Sequence, residues 1–132
     1  MKLWEADNST SGHANTFRIE VSSTERYNLI KLFGSMDNDC NRFFSELGKF
    51  LLDGKFGKVW IVDCTHAAVG NSTVEQTIFG GFLYGFTKRH EYRFIFAGEY
   101  YTECLKHRFK ASGLFFHYFD TVNQAKDFVT SN

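Results

Sequence analysis

What most constrains the fold of this chain is the way its hydrophobic period switches along the sequence. Phe17, Ile19 and Val21 alternate with Arg18, Glu20 and Ser22, the period of two expected of a half-buried strand. A polar turn, Ser22-Ser23-Thr24-Glu25-Arg26, leads into Tyr27 to Phe33 (YNLIKLF), a second strand ended by Gly34, so the spacing predicts a hairpin. The residues Ser35-Met36-Asp37-Asn38-Asp39 are rich in helix-capping types. Beyond them Phe43, Phe44, Leu47, Phe50 and Leu51 fall on one helical face, with Arg42, Glu46 and Lys49 outside it and Asp53-Gly54 as the stop. Val59 to Val62 (VWIV) is a short continuous apolar run ending at Asp63, the pattern of a strand covered on both faces.

Helical spacing returns from Ser72 to His90 through Val74, Ile78, Phe79, Phe82, Leu83 and Phe86. Arg93 to Gly98 (RFIFAG) reads as a strand, Tyr101 to Ser112 as a helix stopped by Gly113, Phe115 to Phe119 as an aromatic strand or extended loop, and Thr121 to Val129 as a final helix. The resulting order, β-β-α-β-α-β-α-β-α, predicts an α/β domain. Its sheet is mixed and mostly parallel, with about four to five strands, an antiparallel N-terminal edge and about four helices. Residues 1–15 turn polar after one early lysine and read as a flexible N-terminal tail, leaving 16–132 as one domain.

With 132 residues, one core is affordable and two are not. A formal net charge of zero argues against non-specific nucleic-acid binding, because counterion release needs a basic surplus. No apolar run reaches the roughly 18 residues of a membrane span, and the N-terminus lacks the apolar stretch of a signal peptide. Cys40, Cys64 and Cys104 are odd in number and widely spaced, which argues against a disulfide framework or a structural zinc site and for a reduced, cytoplasmic protein. The chain holds 16 Phe and no Pro, so its turns depend on Gly, Asn, Asp and Ser, and its aromatic residues must fill a bulky core or an interface.

Candidate chemistry is sparse. Ser72-Thr73-Val74-Glu75 is an S-x-x-E capping box, which by itself needs no function. Its position is notable all the same: a serine beyond the carboxyl end of a central parallel strand, at a helix N-terminus, stands where open α/β sheets present their working surface. Asp63-Cys64-Thr65-His66 puts a thiol near an imidazole in sequence, although a small buried cysteine is the plainer reading. His13, His66, His90, His107 and His117 share no helical spacing that would make a metal face, so no metal and no cofactor is expected. Lys88-Arg89-His90 and Lys106-His107-Arg108-Phe109-Lys110 fall near predicted helix C-termini, where cations complement the dipole. Asp120-Thr121 with Gln124 makes a T-x-x-Q cap, and Gly80, Gly81 and Gly85 inside the long helix imply either close packing or local softness.

From Phe17 to Val129 this order of elements resembles the STAS domain, the module named for sulfate transporters and anti-sigma-factor antagonists. The resemblance rests on Gly34-Ser35-Met36-Asp37 after an early strand, Val59-Trp60-Ile61-Val62-Asp63 at the central strand, and Asn71-Ser72-Thr73-Val74 at the signature loop. Phe94 to Gly98, Gly113-Leu114 and Phe119-Asp120-Thr121 complete it. Asn71 stands where that family carries an acidic residue, and Val74 where it carries glycine. The resemblance implies a bacterial, non-enzymatic signalling protein that binds an anti-sigma factor or serine kinase, is served by a phosphatase, and is switched by phosphate. Ser72 would be the acceptor and Thr73 its substitute, with Asp37, Asn71, Ser72, Thr73 and Glu75 forming the partner-binding face. A different class, a small-ligand or lipid-handling module such as a transporter accessory subunit, would suit the phenylalanine content. A receiver domain of the response-regulator kind is disfavoured because Phe33-Gly34-Ser35-Met36 lacks the acidic pair, and no G-x-G-x-x-G, Walker A or G-x-S-x-G motif points to an enzyme. The dense aromatics at Tyr100-Tyr101 and Phe115 to Phe119 are the candidate surface for a homodimer or partner contact.

Overall fold

The computed structural model describes residues 2–7, 17–24, 26–34, 41–54, 56–67 and 73–131. In chain order the elements are β1 (Lys2–Asp7), β2 (Arg18–Ser23), β3 (Asn28–Gly34), α1 (Asn41–Asp53), β4 (Val59–Ala67), α2 (Thr73–His90), β5 (Arg93–Ala97), α3 (Glu99–Ala111), β6 (His117–Phe119) and α4 (Val122–Thr130). The strands form one sheet in the order β1-β2-β3-β4-β5-β6. The pairs β1–β2 and β2–β3 are antiparallel, and the pairs β3–β4, β4–β5 and β5–β6 are parallel.

That order decides where the helices go. Every parallel crossover steps to the next strand in the same direction, and crossovers share one hand, so their helices arrive on one face of the sheet. Ile19, Leu32, Trp60, Val62, Phe94 and Phe96 accordingly meet Phe44 and Leu47 of α1, Phe79 and Leu83 of α2, and Leu105 and Phe109 of α3 in a single buried cluster. The opposite face is covered at the β4–β6 end by α4, whose buried Ala125 packs with Ile61, Ile95 and Ala97. Over β1 and β2 that face is polar: Arg18 Nε lies 3.5 Å from both Glu5 Oε1 and Glu20 Oε1, and its guanidinium sits 4.2 Å from the Phe33 ring centre.

The predicted hairpin, the central strand and the helices are all present, with boundaries moved by a few residues. The sheet has six strands rather than four to five, because Lys2–Asp7, expected within a flexible tail, forms edge strand β1. The cause is tertiary. Trp4 and Ala6 alternate inward, the Trp4 ring stacks on Phe50 at 5.9 Å, and β2 supplies the pairing partner.

Most of the phenylalanines are explained by packing. Phe96, Phe109 and Phe116 form a triad of edge-on pairs at 5.1–5.6 Å, a geometry worth about 0.5–1.5 kcal/mol per pair beyond burial. The aromatic segment that is too dense for a strand with one wet face turns out to have both faces covered. Phe116 and Tyr118 pack on the main core, while His117 and Phe119 stack on Phe128 of α4. Phe115, at 67%, and His117 are the exposed residues of that run. Tyr100 and Tyr101 belong to α3, and their side chains lie outside the described residues. Of the helix glycines, Gly80 is pressed against Phe109, whereas Gly81 and Gly85 face open space. Among the described residues no helix is long and apolar enough to cross a membrane.

Candidate functional site at the carboxyl edge of the sheet

The parallel strands do not end together. β5 stops at Ala97, opposite Asp63, while β4 continues to Ala67 beside Gly34. The overhang, together with the starts of α3 and α4, encloses a cleft of about 500 Å³ lined by Thr65, Ala67, Gly98, Glu99, Asp120 and Asn123 among others. Its floor requires a glycine: Gly98 has φ 130°, and a Cβ there would sit 2.9 Å from the Cys64 carbonyl carbon. The Gly98 N–H donates to Phe119 O at 3.1 Å, and its carbonyl accepts from Thr102 N at 3.1 Å and from the Thr102 hydroxyl. α4 enters through the predicted T-x-x-Q cap. Thr121 Oγ1 accepts from Gln124 N at 3.1 Å, and Gln124 Oε1 accepts from Asp120 N at 3.0 Å and Thr121 N at 3.2 Å.

A bulge in β4 settles the cysteine–histidine pair. Lys31 faces Asp63 but Phe33 faces His66, so the extra residue in β4 turns His66 to the outer face, where it stacks on Phe33 at 5.4 Å. Cys64 is buried on the three-helix side. Burial pushes its thiol well above the ordinary range, and the adjacent Asp63 carboxylate pushes it further, so the group stays protonated and unreactive at neutral pH. Asp63 itself is buried with Oδ1 accepting from Thr65 N at 2.9 Å, which stabilises the bulge. Tyr118 is raised to about 12, by burial first and by Cys64 second. Among the described residues no group of three His, Cys, Asp or Glu is placed to hold a metal ion.

The sequence-derived acceptor site can be located only in part. Asp37, Asn71 and Ser72 lie outside the described residues. Thr73 opens α2 and Glu75 stands in its first turn, with their backbones described and their side chains not. Gly34 and Ala67, the last described residues before the stretches that carry Asp37 and Asn71-Ser72, pair at the carboxyl ends of β3 and β4, and Ala67 lines the cleft. Glu99, Asp120 and Asn123 are cleft residues that sequence reasoning missed as site residues. The available signals were the Gly98-Glu99 junction and the Asp120-Thr121 cap, both of which look purely structural until the strand lengths are known.

The sequence matches no family model and no curated protein. Solved structures do match. An anti-sigma factor antagonist from Mycobacterium paratuberculosis superposes with a TM-score of 0.62 over 85% of this chain and 92% of its own, at 14% identity. The anti-sigma factor antagonist SpoIIAA in its unphosphorylated form gives 0.62 over 86% of this chain and 97% of its own, at 18% identity. The chain therefore has the STAS-like α/β fold along nearly its whole length.

Proposed function

We propose that this chain is a STAS-type signalling module of the anti-sigma-factor-antagonist kind, a bacterial cytoplasmic binding protein rather than an enzyme. The observation that carries the reading is the match of its fold to two anti-sigma factor antagonists over at least 85% of the chain. An anti-sigma factor or serine kinase docks at the carboxyl edge of the sheet through Asp37, Asn71, Ser72, Thr73 and Glu75. Phosphate on Ser72, or on Thr73 in its place, blocks that contact, and a phosphatase restores it.

Elementary electrostatics supports the acceptor position. A phosphate adds about 1.5–2 negative charges at pH 7. At the positive end of the α2 dipole a negative charge is favourable by about 0.3–1 kcal/mol. Modification there changes the surface without unfolding the domain. Affinity capture with wild-type, Ser72→Ala and Ser72→Asp proteins tests the switch. The wild-type and Ala forms should retain the same kinase or anti-sigma partner and the Asp form should lose it, whereas identical partner sets for all three would refute the reading.

A further inference from the structure

Packing inside the domain accounts for Gly80, which is pressed against Phe109, but not for Gly81 and Gly85. These two lie one turn apart in the interior of α2, and a Cβ added at either would meet nothing within 4 Å. Glycine is the poorest helix former after proline, so the fold itself would be better served by almost any other residue at both positions. Their missing side chains leave a groove of about 260 Å³ along the C-terminal half of α2, bordered by Leu52 of α1 and by Phe82 and Arg89. Leu52 is 55% exposed, and Ile78, three residues before Gly81 on the same strip of the helix, is 41% exposed.

The charge of this groove has one sign. No acidic residue lines it, and its arginine, Arg89, is exposed. Lys58, Lys88 and Arg108 are each engaged within the domain. Lys58 Nζ donates to His90 O at 2.9 Å, Lys88 Nζ lies 5.3 Å from the Tyr84 ring centre, and Arg108 Nη1 donates to Oε1 of buried Gln76. Among the described residues the Arg89 guanidinium has no ion pair, hydrogen bond or ring contact. What fits here must bring apolar surface close to the α2 backbone and a carboxylate to Arg89, whose fork of donors suits that group. The volume is below the about 300–1,000 Å³ of pockets that enclose small molecules. A helix meets both requirements. Side chains four apart on one helix form a ridge that packs into the groove between the ridges of another, and the Gly81–Gly85 step leaves one such ridge flat.

We propose that the α1–α2 groove docks an acidic amphipathic helix of another protein. An apolar side chain of that helix sits over Gly81 and Gly85 against Leu52 and Ile78, and its Glu or Asp pairs with Arg89. The surface belongs to the helix layer rather than to the carboxyl edge of the sheet, so the proposal stands independently of the acceptor assignment above.

The test titrates the full chain with two synthetic helical peptides of about four turns, followed by amide NMR. Both peptides carry the same stripe of leucines, flanked in one by glutamates and in the other by lysines. The glutamate peptide should shift the Gly81, Gly85 and Leu52 amides and bind about fivefold more tightly than the lysine peptide, the effect of one exposed ion pair. In Arg89→Glu that preference should reverse. Gly81→Leu should be at least as stable as wild type, because its side chain enters open space. It should nevertheless bind the glutamate peptide about tenfold more weakly or worse, since a leucine of the peptide loses its seat. No binding of either peptide, equal affinity for both in the wild type, or undiminished binding by Gly81→Leu would overturn the proposal. A concentration-dependent dimer in sedimentation that Gly81→Leu abolishes would assign the groove to a second copy of this chain and overturn it as well.

Discussion

Replacing Gly80 and its neighbour Gly81 by alanine separates helix propensity from packing in a single comparison. Both lie in the interior of α2, so each substitution gains the same intrinsic term, about 0.8–1.0 kcal/mol for alanine over glycine. Nothing lies within 4 Å of the Cβ that Gly81→Ala would add. At Gly80 the new Cβ would stand 2.5 Å from Phe109 Cε1 and 2.9 Å from Cδ1 and Cζ. Phe109 is fully buried and boxed in by Phe96 and Phe116 at 5.6 Å each, so its ring has nowhere to go. Overpacking of this kind costs about 1–3 kcal/mol. Gly81→Ala should therefore be more stable than wild type by about 1 kcal/mol, and Gly80→Ala should fall below Gly81→Ala by about 1–3 kcal/mol. Urea or guanidinium unfolding with unchanged m values reads the difference directly. Adding Phe109→Leu to Gly80→Ala should cost less than Phe109→Leu costs alone, because the two sites are in contact. Equal gains at Gly80 and Gly81 would refute the proposed α2–α3 packing.

Other consequences are as direct. Gly98→Ala should lose about 2–3 kcal/mol in the same assay, since a residue with φ 130° and a Cβ 2.9 Å from the Cys64 carbonyl carbon strains backbone against backbone. Thr121→Ala should cost about 1 kcal/mol by removing the cap that opens α4. Alkaline pH should destabilise the fold. Cys64 and Tyr118 have folded pKa values raised above their ordinary 9.0 and 10.0, so the unfolded chain loses those protons first. The stability they contribute is complete below about pH 9 and is lost as pH climbs towards the folded values. A pH series of unfolding curves should fall above about pH 9, and a curve flat to pH 11 would contradict this. Tyr118→Phe should be neutral or slightly stabilising, because the buried Tyr118 hydroxyl has no hydrogen-bond partner among the described residues.

Where local chemistry decides structure, the sequence alone was sufficient. The alternation at Phe17, Ile19 and Val21, the VWIV run, the Phe44–Leu47–Leu51 face and the Thr121–Gln124 cap all describe what is found. Where a distant partner decides, it was not. The alternation in β1 is brief, and the strand is held by β2 and by Phe50, a residue far along the chain. The β4 overhang from Cys64 to Ala67 is polar enough to read as a loop and is kept extended by pairing with Phe33 and Gly34 of β3. The cleft follows from that overhang and from the early end of β5, a difference in strand length that no local pattern records. Arg108 shows the same limit, since its placement at a helix C-terminus suggested a solvated cation until α2 and α3 were seen to cross at Gly80.

Site mapping by mass spectrometry after incubation with the cognate kinase and ATP tests the acceptor assignment most directly. Phosphate should be found on Ser72 in the wild-type protein and shift to Thr73, or fall sharply, in Ser72→Ala. Label absent from both residues, or confined to a position away from the carboxyl edge of the sheet, would contradict the proposed switch.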